Sequence, residues 1–192
     1  MFRRVAKIGD QLALRRVVQS IPEPVGEVMT TIGRSASGGA LWLGSAAVLA
    51  AVGPRGRRAA GRGLVAYTVT SAIANGPAKW ISRRQRPNGI LLKDLPRLGD
   101  RPKTSSFPSS HTAAATAFAV AASGALPLAA PVLGPLAASV ALSRVRAVRH
   151  FPTDVLAGGA LGVGVGVVVH IVGSRGNCAP SPRPREDHDD DA

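Results

Sequence analysis

Cysteine is almost missing: Cys178 stands alone in 192 residues. No disulfide can form within the chain, and no cysteine-based metal cluster can be built. Aromatic side chains make up only 4 %, too few to supply stacking platforms for nucleic-acid bases. Acidic residues are scarce too, 11 against 24 lysines and arginines, for a net charge of +13. Such an excess points to nucleic acid or to an anionic membrane surface. The lack of aromatics, together with apolar residues at 45 % gathered in blocks, selects the membrane and leaves nucleic acid out as the main partner. The N-terminal stretch "MFRRVAKIGDQLALRRVVQS" also lacks the continuous apolar core of a signal peptide. Its Val5, Ile8, Leu12, Val17 and Val18 recur at helical spacing between Arg3, Arg4, Lys7, Arg15 and Arg16. A basic amphipathic helix on a membrane surface has this pattern, and so does a solvated helix.

What is present is a series of uncharged or nearly uncharged segments: residues 36–53, 63–80, 112–126, 127–143 and 155–173. Most fall a little short of the ~20 residues that a spanning helix needs. Their glycines and alanines permit close helix–helix contact. The expected fold is therefore all-α, a multi-pass transmembrane bundle of about five spans with an N-terminal amphipathic helix. Three parts are expected: an interfacial segment over 1–35, a membrane domain over 36–173, and a disordered polar tail over 174–192 that includes Cys178 and His188. Residues 83–110 are polar, basic and too long for a simple turn, which suggests a functional loop.

Three polar clusters border these segments. In "KWISRRQRP", Lys79 and Arg86 lie seven residues apart, close to two helical turns, so both can face one point. Pro87 biases Arg86 out of the helical conformation. Two cations converging suit a phosphate, and an arginine can bind two of its oxygens at once. In "FPSSHT", Ser109, Ser110 and His111 open an apolar helix, whose free amides and dipole attract anions. In "SRVRAVRHFPTD", Arg144 precedes His150, and Asp154 follows four residues later. A carboxylate at that spacing can bond one imidazole nitrogen and leave the other free to attack.

Lys79-x6-Arg86-Pro87, Pro108-Ser109-x-His111 and Ser143-Arg144-x5-His150-x3-Asp154 together resemble the three-part signature of the type 2 phosphatidic acid phosphatase (PAP2) superfamily. The resemblance covers residues 36–173. One position departs from it, because Ser110 stands where the signature has glycine; a serine amide still serves if its φ is negative.

The resemblance implies a phosphatase of lipid monoesters or diphosphates that needs no metal and no cofactor. His150 would be the nucleophile, Asp154 its partner, and His111 the acid and base. Lys79, Arg86, Ser109, Ser110 and Arg144 would hold the phosphate. A polyprenyl-linked phosphate of cell-envelope synthesis is the expected substrate; phosphatidic acid and phosphatidylglycerol phosphate are the alternatives, and a catalytically silent phospholipid-binding scaffold is the alternative of another class. With five spans the three motifs share one membrane face. The basic run at 55–58 assigns the other face to the cytoplasm, which leaves the active site extracytoplasmic.

Overall fold

The computed structural model describes residues 2–88, 90–95 and 104–175, with side chains from Ile8 onward other than that of Ile90. Cys178, His188 and almost all of the expected tail lie outside the described residues, as do the side chains of Arg3, Arg4, Val5 and Lys7. The described chain forms α1 (Phe2–Ser20), α2 (Glu23–Ser37), α3 (Ala40–Ala51), α4 (Pro54–Asn75), α5 (Pro77–Ser82), α6 (Ser110–Ala125), α7 (Ala130–Arg146) and α8 (Pro152–Arg175). Short 3-10 turns at Ile90–Leu92 and Pro127–Ala129 complete it, and no strand occurs among the described residues.

Proline and glycine set the boundaries. Pro54 and Pro77 stand in the first turns of α4 and α5, where a missing amide costs nothing. Gly38 and Gly39 separate α2 from α3, with Gly39 at φ 78°. These breaks subdivide the segments read from the sequence. Residues 1–35 hold two helices, α1 and most of α2, and α2 packs along α7. The apolar stretch 36–53 yields only the 12 residues of α3. The basic stretch 54–62 is the start of α4, and the apolar segment 63–80 breaks at Gly76 before Lys79.

α6 is the central helix, packed most extensively against α8 and α4. Gly158, Gly162 and Gly166 recur every fourth residue along α8, and a methyl group on any of them would overlap α6 around Ser109, Ala113 and Ala117. Small residues at that spacing let two backbones approach closely. A second centre stacks Trp42 of α3 on Phe118 of α6 at 5.1 Å between ring centroids.

The outer surface is apolar where a soluble bundle would be polar. α8 is long and apolar enough to cross a bilayer, yet only 17 % of its most apolar window is buried inside the protein. Val163, Val167, Val168, Ile171 and Val172 all face outward. A contiguous exposed apolar surface of this kind marks contact with another apolar phase. Pro127–Arg146 passes the same length and composition test, and α3 is a shorter apolar helix. The protein is built for a membrane.

Candidate active site

The polar clusters meet at the end of the bundle where α2, α5 and α7 finish and α6 and α8 begin. A cavity of about 480 Å³ opens there, lined by Lys79, Arg86, Ser110, His111, Arg144 and His150 among others. Six of the eight residues singled out from the sequence therefore share one cavity. Ser109 and Asp154 stand behind its wall.

Lys79 sits on the short helix α5, and Gly76 turns that helix so that Nζ reaches Ser110 Oγ at 3.2 Å and Asn75 Oδ1 at 2.7 Å. Arg86 does not lie on the same helix as Lys79. α5 ends at Ser82, and Arg83 takes a left-handed conformation at φ 44°. Arg86 then reaches the cavity from an extended segment, held by the carbonyl oxygens of Thr104 at 3.2 Å and Arg149 at 3.0 Å. Burial, then the neighbouring Arg149 guanidinium, lower its pKa from the usual arginine value.

Arg144 comes from the last turn of α7 and is gripped by α2. Its Nη2 donates to the Gly33 carbonyl, and its Nη1 donates to Ser37 Oγ at 3.1 Å. A methyl group on Gly33 would overlap both Ser143 Oγ and the Arg144 guanidinium. One turn pair earlier on α2, Gly26 makes room for Arg146, which pairs with Glu23 at 2.7 Å.

Ser110 and His111 open α6. Among the described residues the positive-φ positions other than glycine are Arg83 and Val148, so Ser110 needs no conformation reserved for glycine. Ser109, the residue before the helix, has 0 % exposure. Its Oγ pairs with Thr112 Oγ1 at 2.9 Å and its amide donates to the Asp154 carbonyl at 3.0 Å. In this geometry Ser109 ties α6 to α8 and does not face the cavity.

His150 is 3 % exposed. Its Nδ1 lies 2.7 Å from the Ser106 carbonyl oxygen, and its Nε2 lies 3.3 Å from Arg86 Nη1. A carbonyl can only accept and a guanidinium can only donate. The proton therefore sits on Nδ1, and Nε2 presents a lone pair at the cavity wall. Asp154 was expected to make the hydrogen bond that fixes this tautomer. Its Oδ2 is 3.8 Å from Nδ1 and instead accepts the Phe151 amide at 2.9 Å. The nearer acceptor for the imidazole is the backbone. Burial pushes the His150 pKa below the usual histidine range, the Asp154 carboxylate opposes this, and the Arg86 guanidinium adds to it.

Three contributors carried no signal in the sequence. Arg84 binds Asp154 Oδ1 at 2.7 Å, also pairs with Asp10, and lies 4.7 Å over the Phe151 ring. Arg149 lines the cavity. Ser106 contributes only its backbone carbonyl, which no residue pattern encodes. Asp10 also accepts from Thr153 Oγ1 at 2.6 Å, and Gln11 and Arg15 of α1 donate to the carbonyls of Asn88 and Leu91. The N-terminal helix thus braces the loop that carries Arg84 and Arg86. Among the described residues, no three His, Cys, Asp or Glu side chains gather as a metal site.

Residues 60–177 match the family model described as the PAP2 superfamily. The chain is 36 % identical over 139 residues to a decaprenylphosphoryl-5-phosphoribose phosphatase of Mycobacterium tuberculosis, which covers 69 % of this chain and 71 % of that protein. Among solved structures, it is similar to a transmembrane PAP2 type phosphatidylglycerolphosphate phosphatase from Bacillus subtilis. That match has a TM-score of 0.67 at 22 % identity and covers 93 % of this chain and 90 % of the other. LpxE of Aquifex aeolicus gives a TM-score of 0.65 at 22 % identity, over 81 % of this chain and 91 % of its own.

Proposed function

The chain belongs to the PAP2 superfamily, and from that membership and the cation-lined cavity we propose that it is an integral-membrane lipid phosphatase acting through a phosphohistidine. The observation that carries this reading is the placing of His150, whose Nδ1 lies on the Ser106 carbonyl and whose unprotonated Nε2, within reach of Arg86 Nη1, faces a cavity lined by Lys79, Arg86 and Arg144. A protein that only bound phosphate would gain nothing from a nucleophilic nitrogen in that position.

In the first step Nε2 of His150 attacks phosphorus, the bond from phosphorus to the lipid oxygen breaks, and His111 delivers a proton to that oxygen. Lys79, Arg86, Arg144 and the amides opening α6 hold the nonbridging oxygens, where transition-state charge is stabilised. Water then attacks the phosphohistidine, His111 takes its proton, and the nitrogen–phosphorus bond breaks to release inorganic phosphate. Ser109 and Asp154 act from behind, the first by fixing the start of α6 and the second by holding Phe151 and Arg84 beside the nucleophile.

The substrate is a polyprenyl-linked phosphate, in line with the activity named for the mycobacterial relative. α3, α4 with α5, α6, α7 and α8 cross the bilayer, and α1 lies on the membrane face beside the site. The exposed Arg55, Arg57 and Arg58 at the opposite end of α4 favour a cytoplasmic position for that end, and so an extracytoplasmic site, under the positive-inside rule. The test is phosphate release from a panel of lipid phosphates by detergent-purified protein in EDTA, beside His150→Ala. Release that the variant loses supports the reading; release by His150→Ala at the wild-type rate overturns it.

A further inference from the structure

The three-part signature leaves open the residue before His150, and this chain puts Arg149 there. Its backbone is pinned on both sides. The amides of Arg149 and His150 donate to the Arg144 carbonyl at 3.2 and 3.3 Å, and the Arg149 carbonyl accepts Arg86 Nη1 at 3.0 Å. The side chain lines the cavity together with Lys79, Arg86 and Arg144. Four cations thus share one cavity, and no carboxylate is among its lining residues.

Arg149 differs from the other three in its partners. Lys79 donates to Asn75 and Ser110, Arg86 to the Thr104 carbonyl, and Arg144 to Ser37. Away from the cavity Arg15, Arg62, Arg84 and Arg146, all half-buried or buried, also reach acceptors. Cations that lack one, such as Arg34 and Arg83, are exposed and have water. Among the described residues Arg149 alone is a half-buried cation whose side chain has no acceptor on the protein. Its Nε is closed to solvent and unpartnered, so the guanidinium sits within the wall and does not extend into water. Arg146 Nε is unpartnered too, but its Nη2 has Glu23 at 2.7 Å. A buried donor left without a partner is costly, and for Arg149 the acceptor comes from what enters the cavity. Burial and then the Arg149 charge lower the Arg86 pKa, so the two guanidinium groups are close enough to act on one ligand.

We propose that Arg149 is a further catalytic residue, a phosphate ligand that donates to nonbridging oxygens of the transferring phosphoryl group beside Arg86. This inference rests on the phosphatase reading above and adds a residue that the signature does not contain. A guanidinium can take two oxygens of one phosphate at once, and Arg149 has its donors free for that contact. Charge that develops on those oxygens in the transition state is what such donors stabilise. Because Arg149 adjoins His150 in the chain, the same pinned backbone sets the nucleophile and this part of the grip together.

The test uses the full chain in detergent with two readouts, binding of inorganic phosphate by calorimetry and kcat/KM for a lipid phosphate. Arg149→Ala should weaken phosphate binding and lower kcat/KM by about tenfold to a hundredfold, the range for a hydrogen bond to a charged group. Arg149→Gln keeps much of the stem without the charge, and should show the same losses at the wild-type melting temperature. Added guanidinium should restore part of kcat/KM to Arg149→Ala, beyond the effect of equal sodium chloride, and Arg149→Lys should keep part of both readouts. Phosphate binding and kcat/KM within about twofold of wild type in both Arg149→Ala and Arg149→Gln, less than one such bond, overturns the proposal. A loss that neither guanidinium nor Arg149→Lys relieves also overturns it, since that marks a role in folding and not in the grip. No phosphate release by the wild type removes the phosphatase reading. Phosphate binding then still decides whether Arg149 is a ligand, kept if the variants weaken it and lost if they do not.

Discussion

Arg84 donates to the fully buried carboxylate of Asp154 at 2.7 Å. That carboxylate has its other oxygen on the Phe151 amide, at the start of the chain segment that presents His150. Through Asp10, the same guanidinium is anchored to α1. The chain Asp10–Arg84–Asp154 therefore fixes the loop before α8 from a helix that is remote in sequence.

Removing Arg84 leaves a buried carboxylate without its cation, a change that typically costs about 3–5 kcal/mol. Arg84→Ala should lower the melting temperature in detergent by several degrees and reduce kcat at least tenfold, and Arg84→Lys should recover part of both. Equal kcat in Arg84→Ala and wild type would remove this residue from the account.

The lowered pKa of His150 has a definite sign. A histidine whose pKa falls below about 6.5 stays neutral, and so nucleophilic, as pH drops through the range where an exposed histidine charges. Nitrogen-15 spectra of histidine-labelled protein without substrate should show His150 protonated on Nδ1 alone at pH 7 and gaining its second proton only below about 6.5. Titration at or above that value would contradict the lowered pKa, and a proton on Nε2 at pH 7 would contradict the assigned tautomer.

Gly33 has no room for a side chain beside the Arg144 guanidinium. Gly33→Ala should displace that guanidinium and raise KM or lower kcat by about tenfold or more, as loss of a charge-assisted contact does. Gly134→Ala is the control, because nothing lies within 4 Å of a methyl group there. Unchanged kinetics in Gly33→Ala would show that α2 does not position Arg144.

Ser110 lies in the first turn of α6 without a positive φ, so glycine is not needed there for backbone reasons. Ser110→Gly removes the Lys79 contact at 3.2 Å but keeps the amide. Phosphate release should stay within about threefold of wild type, since Lys79 keeps its shorter bond to Asn75 Oδ1 and the longer one to Ser110 is the weaker of the two. A rise of tenfold or more would mean that the serine obstructs the site.

The sequence made the chemistry more legible than the shape. Lys79, Arg86, Ser110, His111, Arg144 and His150 could be named because their residue types and spacings are themselves the chemistry, and all six line one cavity. The helical class followed from uncharged blocks separated by basic and proline-rich stretches. What stayed hidden depends on three-dimensional placement. The breaks at Gly38, Gly39 and Gly76 divide runs that hydropathy alone joins. The Ser106 carbonyl displaces Asp154 as the nearest partner of His150 because backbone groups leave no trace in residue identity. Arg84 carries no pattern of its own in the sequence, and its two carboxylate partners, one from α1 and one from α8, meet around it only in the fold.

The most direct test of the central claim is to quench the reaction within milliseconds, using substrate labelled with phosphorus-32 in the cleaved phosphate, and to map any label left on the protein. The account predicts a phosphate that is labile in acid and stable in base, carried by His150 and missing from His150→Ala together with turnover. Label on another residue, or wild-type turnover by His150→Ala, would contradict it.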